Sequence, residues 1–324
     1  MARNSVKTVF GGAPIGGGMS LGDAFATEES IKKVYKLLED GGCDTIDTAR
    51  LYGASEEWLG KTGASKRFTI DSKTPGGFVP GISTGENILQ HAKETVERLG
   101  GSIDIYYIHA PDASVDLEDQ LKGINDAYKA GYFKRFGLSN FKAEDVQRVY
   151  DIAKEKGYPL PMVYQANYNA VARRAETELI PTLRKVGIAF YVYSPIAGGL
   201  LTKSVQQLRD GTKEGRLAPG HMLRPLYDGL YNKPSYYTAL ELWEEAAKEV
   251  GCSRAELAYR WVAFDSVVDP TLGDAVIFGA SSHAQIAETL SWFKRGSVGE
   301  AANVKIDGIW KVIEKDAPLD TYNK

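Results

Sequence analysis

Four polar side chains that can hold or transfer a proton follow short apolar runs of the chain. Asp47 ends one run and Tyr52 follows it with the spacing Asp-x4-Tyr, while Lys73 and His109 end later runs. An ammonium group beside a phenol favours the phenolate and lowers the phenol's pKa. A carboxylate would hold that lysine charged and in place, and a neutral imidazole could hydrogen-bond a carbonyl oxygen. The residue types therefore suit proton delivery to an oxygen of a bound substrate, with Tyr52 as the general acid.

Each of these residues also has an ordinary structural explanation. An aspartate after a strand commonly caps a helix, and a lysine at a strand end commonly forms a surface or structural ion pair. A single histidine among apolar residues is commonly a hydrogen-bonded core residue. The prediction rests on the joint occurrence of the four at successive strand ends, in this order.

Eight short apolar runs alternate with amphipathic stretches, which predicts parallel strands covered on both faces and joined by helices. The predicted strands are residues 8–10, 45–47, 68–71, 103–108, 133–138, 162–165, 188–193 and 276–278. The predicted helices are residues 27–40, 83–99, 116–130, 142–156, 176–185, 234–250, 254–264, 283–293 and 303–314. The helix ending at Leu99 is expected to open with a capping box, Ser-Thr-Gly-Glu at 83–86.

Strict alternation of strand and helix allows a doubly wound sheet or a closed eight-stranded barrel. A doubly wound nucleotide-binding sheet predicts Gly-x-Gly-x-x-Gly after the first strand. The glycines at positions 11, 12, 16, 17 and 18 do not fit that spacing. We therefore predict one domain over residues 1–324, a (β/α)8 TIM barrel with its site at the carboxyl ends of the strands.

The order Asp-x4-Tyr, Lys, His, Ser-Asn and Gln resembles the aldo-keto reductase superfamily from Thr8 to about Leu290. Three stretches resemble the aflatoxin-aldehyde and succinic-semialdehyde reductase family within it. They are Tyr-Gln-Ala-Asn-Tyr-Asn at 164–169, Glu-Thr-Glu-Leu at 176–179, and Tyr-Ser-Pro-Ile-Ala-Gly-Gly-Leu-Leu-Thr at 193–202. The resemblance implies an NADPH-dependent carbonyl reductase with the roles given above for Asp47, Tyr52, Lys73 and His109.

A nicotinamide cofactor is expected because no side chain can supply a hydride. Hydroxyl and amide groups suit its carboxamide, an aromatic ring can stack on its ring, and glycine turns and a helix N-terminus suit its phosphates. The resemblance implies NADP(H), with NADPH favoured over NADH. The expected contacts are Ser139, Asn140, Gln165, Tyr193, Ser194, Pro195, Ala197, Gly198, Leu200, Lys203, Arg216, Gly279, Ser281, Ser282, Gln285 and Glu288.

The long loop over residues 201–233 is predicted to form a lid. It carries a net charge of +3 in a chain whose total is −3, so it would attract phosphates or an anionic substrate. The resemblance implies that Tyr231 and Lys233 bind a substrate carboxylate.

Composition excludes several other classes. A net charge of −3 argues against nucleic-acid binding, and 43% hydrophobic with 25% charged residues excludes disorder. No apolar run approaches the roughly 18 residues of a membrane span. The N-terminal residues lack the apolar region of a secretory signal, so a cytoplasmic protein is expected. Cys43 and Cys252 are expected to be buried thiols, the four scattered histidines predict no metal site, and the resemblance allows a homodimer.

Two other functions remain open at this point. Some barrels of this superfamily are cofactor-binding regulatory subunits of membrane channels, and such a protein could retain all four residues. A barrel glycosidase would use two carboxylates, for which Asp47 and Asp112 are the candidates.

Overall fold

The computed structural model describes residues 6–20, 22–209 and 215–323, apart from the side chains of residues 18–20. Its eight parallel strands form a closed barrel in which each strand pairs with the next and the eighth pairs with the first. The predicted (β/α)8 TIM barrel is thus confirmed. The strands are β1 (Lys7–Gly11), β2 (Thr45–Asp47), β3 (Thr69–Thr74), β4 (Ile103–Ile108), β5 (Phe133–Ser139), β6 (Pro161–Asn167), β7 (Ala189–Tyr193) and β8 (Ala275–Phe278).

Alternate residues of each strand face the barrel interior, because side chains alternate between the two faces of a sheet. A small apolar cluster fills the interior, formed by Val9, Ile105, Tyr107, Val163, Tyr191, Ala275 and Ile277. The intervening residues, such as Phe10, Ile46 and Phe278, belong to a much larger core that includes apolar residues of the helices. β1, β4, β6, β7 and β8 contribute to both clusters and are therefore apolar on both faces, as predicted, whereas β2, β3 and β5 contribute no residue to the interior cluster.

Thirteen α-helices lie within the described residues. They are α1 (Glu28–Gly41), α2 (Ser55–Lys61), α3 (Gly85–Leu99), α4 (Leu117–Lys129), α5 (Ala143–Lys156), α6 (Ala175–Glu178), α7 (Ile180–Lys185), α8 (Val205–Arg209), α9 (Arg224–Tyr231), α10 (Pro234–Val250), α11 (Arg254–Arg260), α12 (His283–Trp292) and α13 (Glu300–Ile313). None of the helices described is long and apolar enough to cross a membrane.

Two predicted helices differ in the structure. The helix predicted at 176–185 is split into α6 and α7 at Leu179, whose φ of −131° is not helical. Pro181 follows, and its missing N–H removes a bond that a continuous helix needs. The helix predicted at 254–264 ends at Arg260 and continues as the π-helical turn Trp261–Asp265.

The predicted capping box at 83–86 is also wrong. Thr84 is the N-cap of α3, and its side chain accepts the backbone N–H of Asn87. A reciprocal capping box forms instead at α1, between Thr27 and Ser30. Of the two cysteines, Cys43 is buried as expected, but Cys252 is partly exposed.

Candidate active site

The four predicted catalytic residues meet at the carboxyl end of the barrel. Asp47 is the last residue of β2, Lys73 lies within β3, and His109 directly follows β4. Tyr52 lies in the loop after β2, where its backbone N–H donates to the Ala49 carbonyl. Its ring centroid is 5.2 Å from Lys73 Nζ and 5.8 Å from the centroid of the His109 ring.

Lys73 is held in a buried hydrogen-bond network. Its Nζ donates to both carboxylate oxygens of Asp47 and to the Thr48 carbonyl, each at 2.7 Å, so all three of its donors are used. Gln165 Nε2 donates to the same carboxylate at 2.9 Å. Burial lowers the pKa of Lys73, but the Asp47 carboxylate, together with Tyr52 and Asp71, more than offsets this effect and the net shift is upward. Lys73 is therefore a fixed cation beneath Tyr52.

The pKa of Tyr52 reflects opposing effects. Burial raises the pKa above its ordinary value and the Asp47 carboxylate adds to that, while Lys73 and Arg216 lower it. Lys73 acts in the direction expected from the sequence, but burial has the larger effect. The phenol is therefore protonated at neutral pH, the state that a proton donor requires.

The His109 imidazole, at the same carboxyl-end mouth of the barrel, is neutral. Burial lowers the pKa of its imidazole well below the ordinary value, and the charge of Lys73 lowers it further. Within the described part of the chain, its buried Nδ1 has no hydrogen-bond partner. A neutral ring can position a carbonyl oxygen without competing with Tyr52 for the role of acid.

Four residues predicted to contact the nicotinamide surround this group. Asn140 Nδ2 donates to the His109 carbonyl at 2.8 Å and to Ser139 Oγ at 3.1 Å. The Tyr193 hydroxyl donates to Asn140 Oδ1 at 3.4 Å, and Gln165 is bound to Asp47 as described above. The structure therefore brings these four residues together with the catalytic candidates.

Three non-glycine residues at this mouth have left-handed backbones. They are Asn140, Ser194 and Ala197, with φ of 63°, 58° and 51°, and all three are predicted cofactor contacts. Such a conformation costs roughly 1–3 kcal/mol per residue and is typical of functional sites. Gly198 follows with φ of 68°, and a Cβ there would collide with the Tyr227 ring at 2.0 Å.

The turn after β7 contains the other contacts predicted for that loop. Pro195 and Leu200 are buried, and Lys203 closes the 3-10 turn Ala197–Thr202 by donating its backbone N–H to the Leu200 carbonyl. Asn169 Nδ2 holds this turn by donating to the Ser194 carbonyl at 3.1 Å.

The predicted contacts after β8 lie at or near the N-terminus of α12. Ser282 caps the helix by accepting the Gln285 backbone N–H at 3.3 Å. The Gln285 side chain accepts the Ser281 backbone N–H at 2.8 Å. Gly279, which follows β8, and Glu288, within α12, are exposed.

The predicted lid is only partly described. Asp210, Lys213 and Glu214 lie outside the described residues, so the structure does not place all the charges counted for the lid. Arg216 is described: it donates to the Tyr227 hydroxyl at 2.6 Å and packs over that ring.

The two predicted substrate contacts have other partners. Tyr231 is only 2% exposed, and its hydroxyl accepts a hydrogen bond from Asn167 Nδ2 at 3.2 Å. The Lys233 ammonium donates to the Asp316 carbonyl. A role for this pair in binding a carboxylate stays a prediction.

Sequence reasoning missed an aromatic wall beside His109. The Phe78 ring, 42% exposed, lies edge-on to the His109 ring at 4.9 Å and to the Tyr322 ring at 5.2 Å. Phe78 could have been considered, because it follows Lys73 in the same strand-to-helix loop.

The C-terminal residues complete this wall, and no feature of the sequence predicts their position. The Tyr322 hydroxyl donates to the Pro111 carbonyl at 3.1 Å, and Asn323 Nδ2 donates to the Asn140 carbonyl at 2.9 Å. The Thr321 hydroxyl shares a hydrogen bond of 2.7 Å with the Tyr193 hydroxyl. The tail therefore folds over the mouth of its own barrel.

Asp112, the second carboxylate of the glycosidase alternative, belongs to a loop. It accepts backbone N–H groups from Gly81, Ser83 and Ser114. Burial raises its pKa, but these bonds and the Ser114 hydroxyl lower it by more. One of the two carboxyl groups of a glycosidase must act as an acid with a raised pKa. The pKa of Asp112 is lowered, and Asp47 is ion-paired with Lys73, so this arrangement disfavours that function. In the parts of the chain that are described, no cluster of three or more His, Cys, Asp or Glu could hold a metal.

A closed eight-stranded barrel with this group of polar residues at its carboxyl end agrees with the family comparison. The chain belongs to the aldo/keto reductase family, whose model matches residues 9–311. It is thereby placed among the oxidoreductases, and carbonyl reduction is the chemistry that the family supports.

Named relatives match over nearly the whole chain. "Oxidoreductase sirO" of Leptosphaeria maculans is 38% identical over 295 residues, covering 90% of this chain and 89% of that protein. "Aflatoxin B1 aldehyde reductase member 2" of Rattus norvegicus is 33% identical over 336 residues, covering 98% and 91%. "Aldo-keto reductase family 7 member A3" of Homo sapiens is 32% identical over 320 residues, covering 94% and 96%. The resemblance predicted from the sequence is confirmed.

Proposed function

We propose that this chain uses NADPH to reduce an aldehyde or ketone to the alcohol, with Tyr52 as the proton donor. The observation that carries the proposal is the closeness of the Tyr52 ring to both the buried cation of Lys73, at 5.2 Å, and the neutral ring of His109, at 5.8 Å. A protonated phenol next to a fixed cation can release its proton and leave a stabilised phenolate.

The residues present fit a nicotinamide dinucleotide phosphate. Ser139, Asn140 and Gln165 offer hydroxyl and amide groups for the carboxamide, and Tyr193 offers an aromatic face. The backbone strain concentrated at Asn140, Ser194 and Ala197 supports a ligand site at this place.

The phosphates would be held farther out along the mouth. Lys203 and the turn from Ser194 through Pro195, Ala197 and Gly198 to Leu200 would face the pyrophosphate. Arg216, Gly279, Ser281, Ser282, Gln285 and Glu288 would hold the adenosine end and its phosphate. The Arg216 side chain donates to a neutral hydroxyl, so its charge is available to an anion.

The chain's own residues would then divide the work at the carbonyl. NADPH, once bound, would supply the hydride to the carbonyl carbon. His109 would orient the carbonyl oxygen, and Tyr52 would give its proton to that oxygen. The Asp47 carboxylate keeps Lys73 beneath the phenol during this transfer.

The remaining sequence predictions are part of the same proposal. Residues 1–324 would act as one barrel, with residues 201–233 as a lid and Tyr231 and Lys233 near the substrate. The substrate is a small carbonyl compound, the chain works in the cytoplasm, and a homodimer is compatible with it.

The Tyr52→Phe variant tests the proposal. It keeps the ring and removes the transferable proton, so reduction of 4-nitrobenzaldehyde should fall about 10²–10⁴-fold, measured by the loss of NADPH absorbance. Binding of NADPH, measured by quenching of protein fluorescence, should remain. Tyr128→Phe, a change at an exposed ring on α4, is the matched control and should reduce the aldehyde at the normal rate.

The outcomes separate the alternatives. Equal loss of binding and turnover in Tyr52→Phe would contradict the role given to the phenol. A wild-type protein that binds NADPH tightly but turns over no carbonyl substrate would favour the regulatory-subunit function instead.

A further inference from the structure

A second carboxyl group lies inside the barrel, next to the Lys73–Asp47 pair. Asp71 is two residues before Lys73 on β3, and it is the register partner of Asp47 on β2. It is 1% exposed. Residues two apart on a strand share a face, so Asp71 and Lys73 both face the barrel interior.

The hydrogen bonds of Asp71 are incomplete. Its Oδ1 accepts the Ile105 backbone N–H at 3.0 Å. Its Oδ2 is buried and has no hydrogen-bond partner among the described residues. A buried carboxylate oxygen with no donor is strongly unfavourable, whereas a protonated carboxyl can bear its hydrogen there.

The charges around Asp71 leave it without a counter-ion. The ionisable groups that act on it or face it are Asp47 on β2, Lys73 on β3, Asp104 and Tyr107 on β4, Arg135 on β5 and Tyr191 on β7. Lys73 is bound to Asp47 at 2.7 Å, and Arg135 is bound to Asp104 at 2.5 Å. No ion pair of the described residues includes Asp71, so the interior has one carboxyl group more than its cations can neutralise.

The pKa of Asp71 agrees with this count of charges. Burial raises the pKa of Asp71 to about 8, and Asp47 and Asp104 act in the same direction, while Arg135 opposes them. The carboxyl group is therefore neutral at neutral pH and ionises in mild alkali.

We propose that Asp71 is a positioning residue that acts on Tyr52 through Lys73. When Asp71 is protonated, the Lys73 charge acts on Asp47 and Tyr52 alone. When Asp71 is ionised, it competes for that charge and makes Tyr52 a weaker acid. The consequence for catalysis rests on the proposed function, but the coupling between the two groups does not. On ionisation the Asp71 proton passes to bulk water, and no other bond changes.

The direction of the effect follows from the order of ionisation. In the wild type, Asp71 loses its proton first as pH rises, and its negative charge then delays the ionisation of Tyr52. In Asp71→Asn the position stays neutral at every pH. Tyr52 should therefore ionise at a lower pH in the variant than in the wild type.

The experiment is a spectrophotometric titration of Tyr52. Tyrosinate absorbance is followed against pH. The titration of Tyr52→Phe is subtracted from that of the wild type, and the titration of the double variant Asp71→Asn/Tyr52→Phe is subtracted from that of Asp71→Asn. Each difference removes the signals of all other tyrosines. The Tyr52 midpoint should be lower by about one pH unit in the Asp71→Asn background. Asp112→Asn, which changes a carboxyl of a loop outside the barrel interior, is the matched control and should leave the midpoint in place.

Equal midpoints in the two backgrounds would overturn the proposal, even if Asp71→Asn lowered stability, because a merely structural role does not move a titration. The alkaline limb of the pH profile for carbonyl reduction should shift in the same direction as the midpoint. A shifted midpoint without any carbonyl turnover would reject the proposed function and retain the coupling. Carbonyl turnover with an unshifted midpoint would reject the coupling and retain the proposed function.

If Asp71→Asn does not fold, infrared difference spectra of the wild type give the answer. A protonated carboxyl C=O band should be present at neutral pH and disappear as pH rises through about 8. A carboxyl that is already ionised at neutral pH, with no such band, would contradict the proposal.

Discussion

At the scale of single residues, burial and neighbouring charges together set the charge state of each side chain at the carboxyl end of the barrel. Lys73 stays charged because Asp47, with Tyr52 and Asp71, offsets its burial, whereas His109 stays neutral because no carboxylate offsets its burial. Tyr52 stays protonated for the same physical reason. A proton donor, a cation and a neutral hydrogen-bonding ring can therefore lie within one small volume at neutral pH.

The buried imidazoles also predict how stability depends on pH. Burial lowers the pKa of His91 to about 4, and its Nδ1 hydrogen-bonds the Thr74 hydroxyl at 2.9 Å. An unfolded histidine titrates near 6.5, so as pH falls below about 6.5 the unfolded chain binds the proton first and the folded state loses stability. The loss should be roughly 2 kcal/mol between about pH 6.5 and pH 4 after allowance for partial solvent access.

This loss can be measured by urea unfolding across that pH range. His91→Asn removes the titrating ring and should flatten the dependence, leaving the part due to His109. An equally steep dependence in the variant would show that His91 does not contribute.

At the scale of elements, the strands could be predicted because their apolar runs are short and bounded by polar residues. All eight predicted strands overlap the observed ones. The split at Leu179 and the π-helical turn after Arg260 could not be predicted from periodicity, since the apolar spacing continues through both. Pro181 is the one signal in the sequence for the split, because its position in the first turn of α7 is typical of a helix start.

A glycine in β5 leads to a further prediction. A Cβ at Gly137 would lie 2.4 Å from the Tyr107 ring, and Lys73 Nζ lies 5.5 Å from the centroid of that ring. Gly137→Ala should therefore displace Tyr107, lower the free energy of unfolding by about 1–3 kcal/mol and slow carbonyl reduction.

The matched control for this change is Gly308→Ala. Gly308 lies within α13, and a Cβ there would meet nothing within 4 Å. An alanine in a helix interior should raise the free energy of unfolding by about 0.5–1 kcal/mol. Urea unfolding of both variants gives the comparison, and a neutral Gly137→Ala would mean that Tyr107 has room to move.

At the scale of the whole molecule, the sequence predicts which residues meet but not all that surrounds them. The catalytic candidates could be found because each lies at or just after the carboxyl end of a strand, and the carboxyl ends of a barrel's strands converge. The place of Tyr322 against Phe78 could not be found, because it depends on tertiary packing between residues far apart in the chain. The missing partner of Asp71 is likewise a property of the assembled interior.

The tail contact predicts an effect on substrate binding. Tyr322→Ala removes the ring that packs against Phe78, so the KM for 4-nitrobenzaldehyde should rise several-fold while NADPH binding stays unchanged. Tyr322→Phe keeps the ring and loses the hydroxyl's bonds, and its KM should stay near the wild-type value. Steady-state kinetics distinguish the two, and an equal rise in both variants would assign the effect to the hydroxyl.

The pairing of β1 with β8 has a consequence for how the protein is made. Register partners such as Lys7 and Ala275 are far apart in the sequence, so the ring cannot close until β8 has left the ribosome. Until then the growing sheet has two free edges, which can pair with other nascent chains. Because closing so long a loop is slow, synthesis of this chain should depend on chaperones more than the stability of the finished barrel suggests.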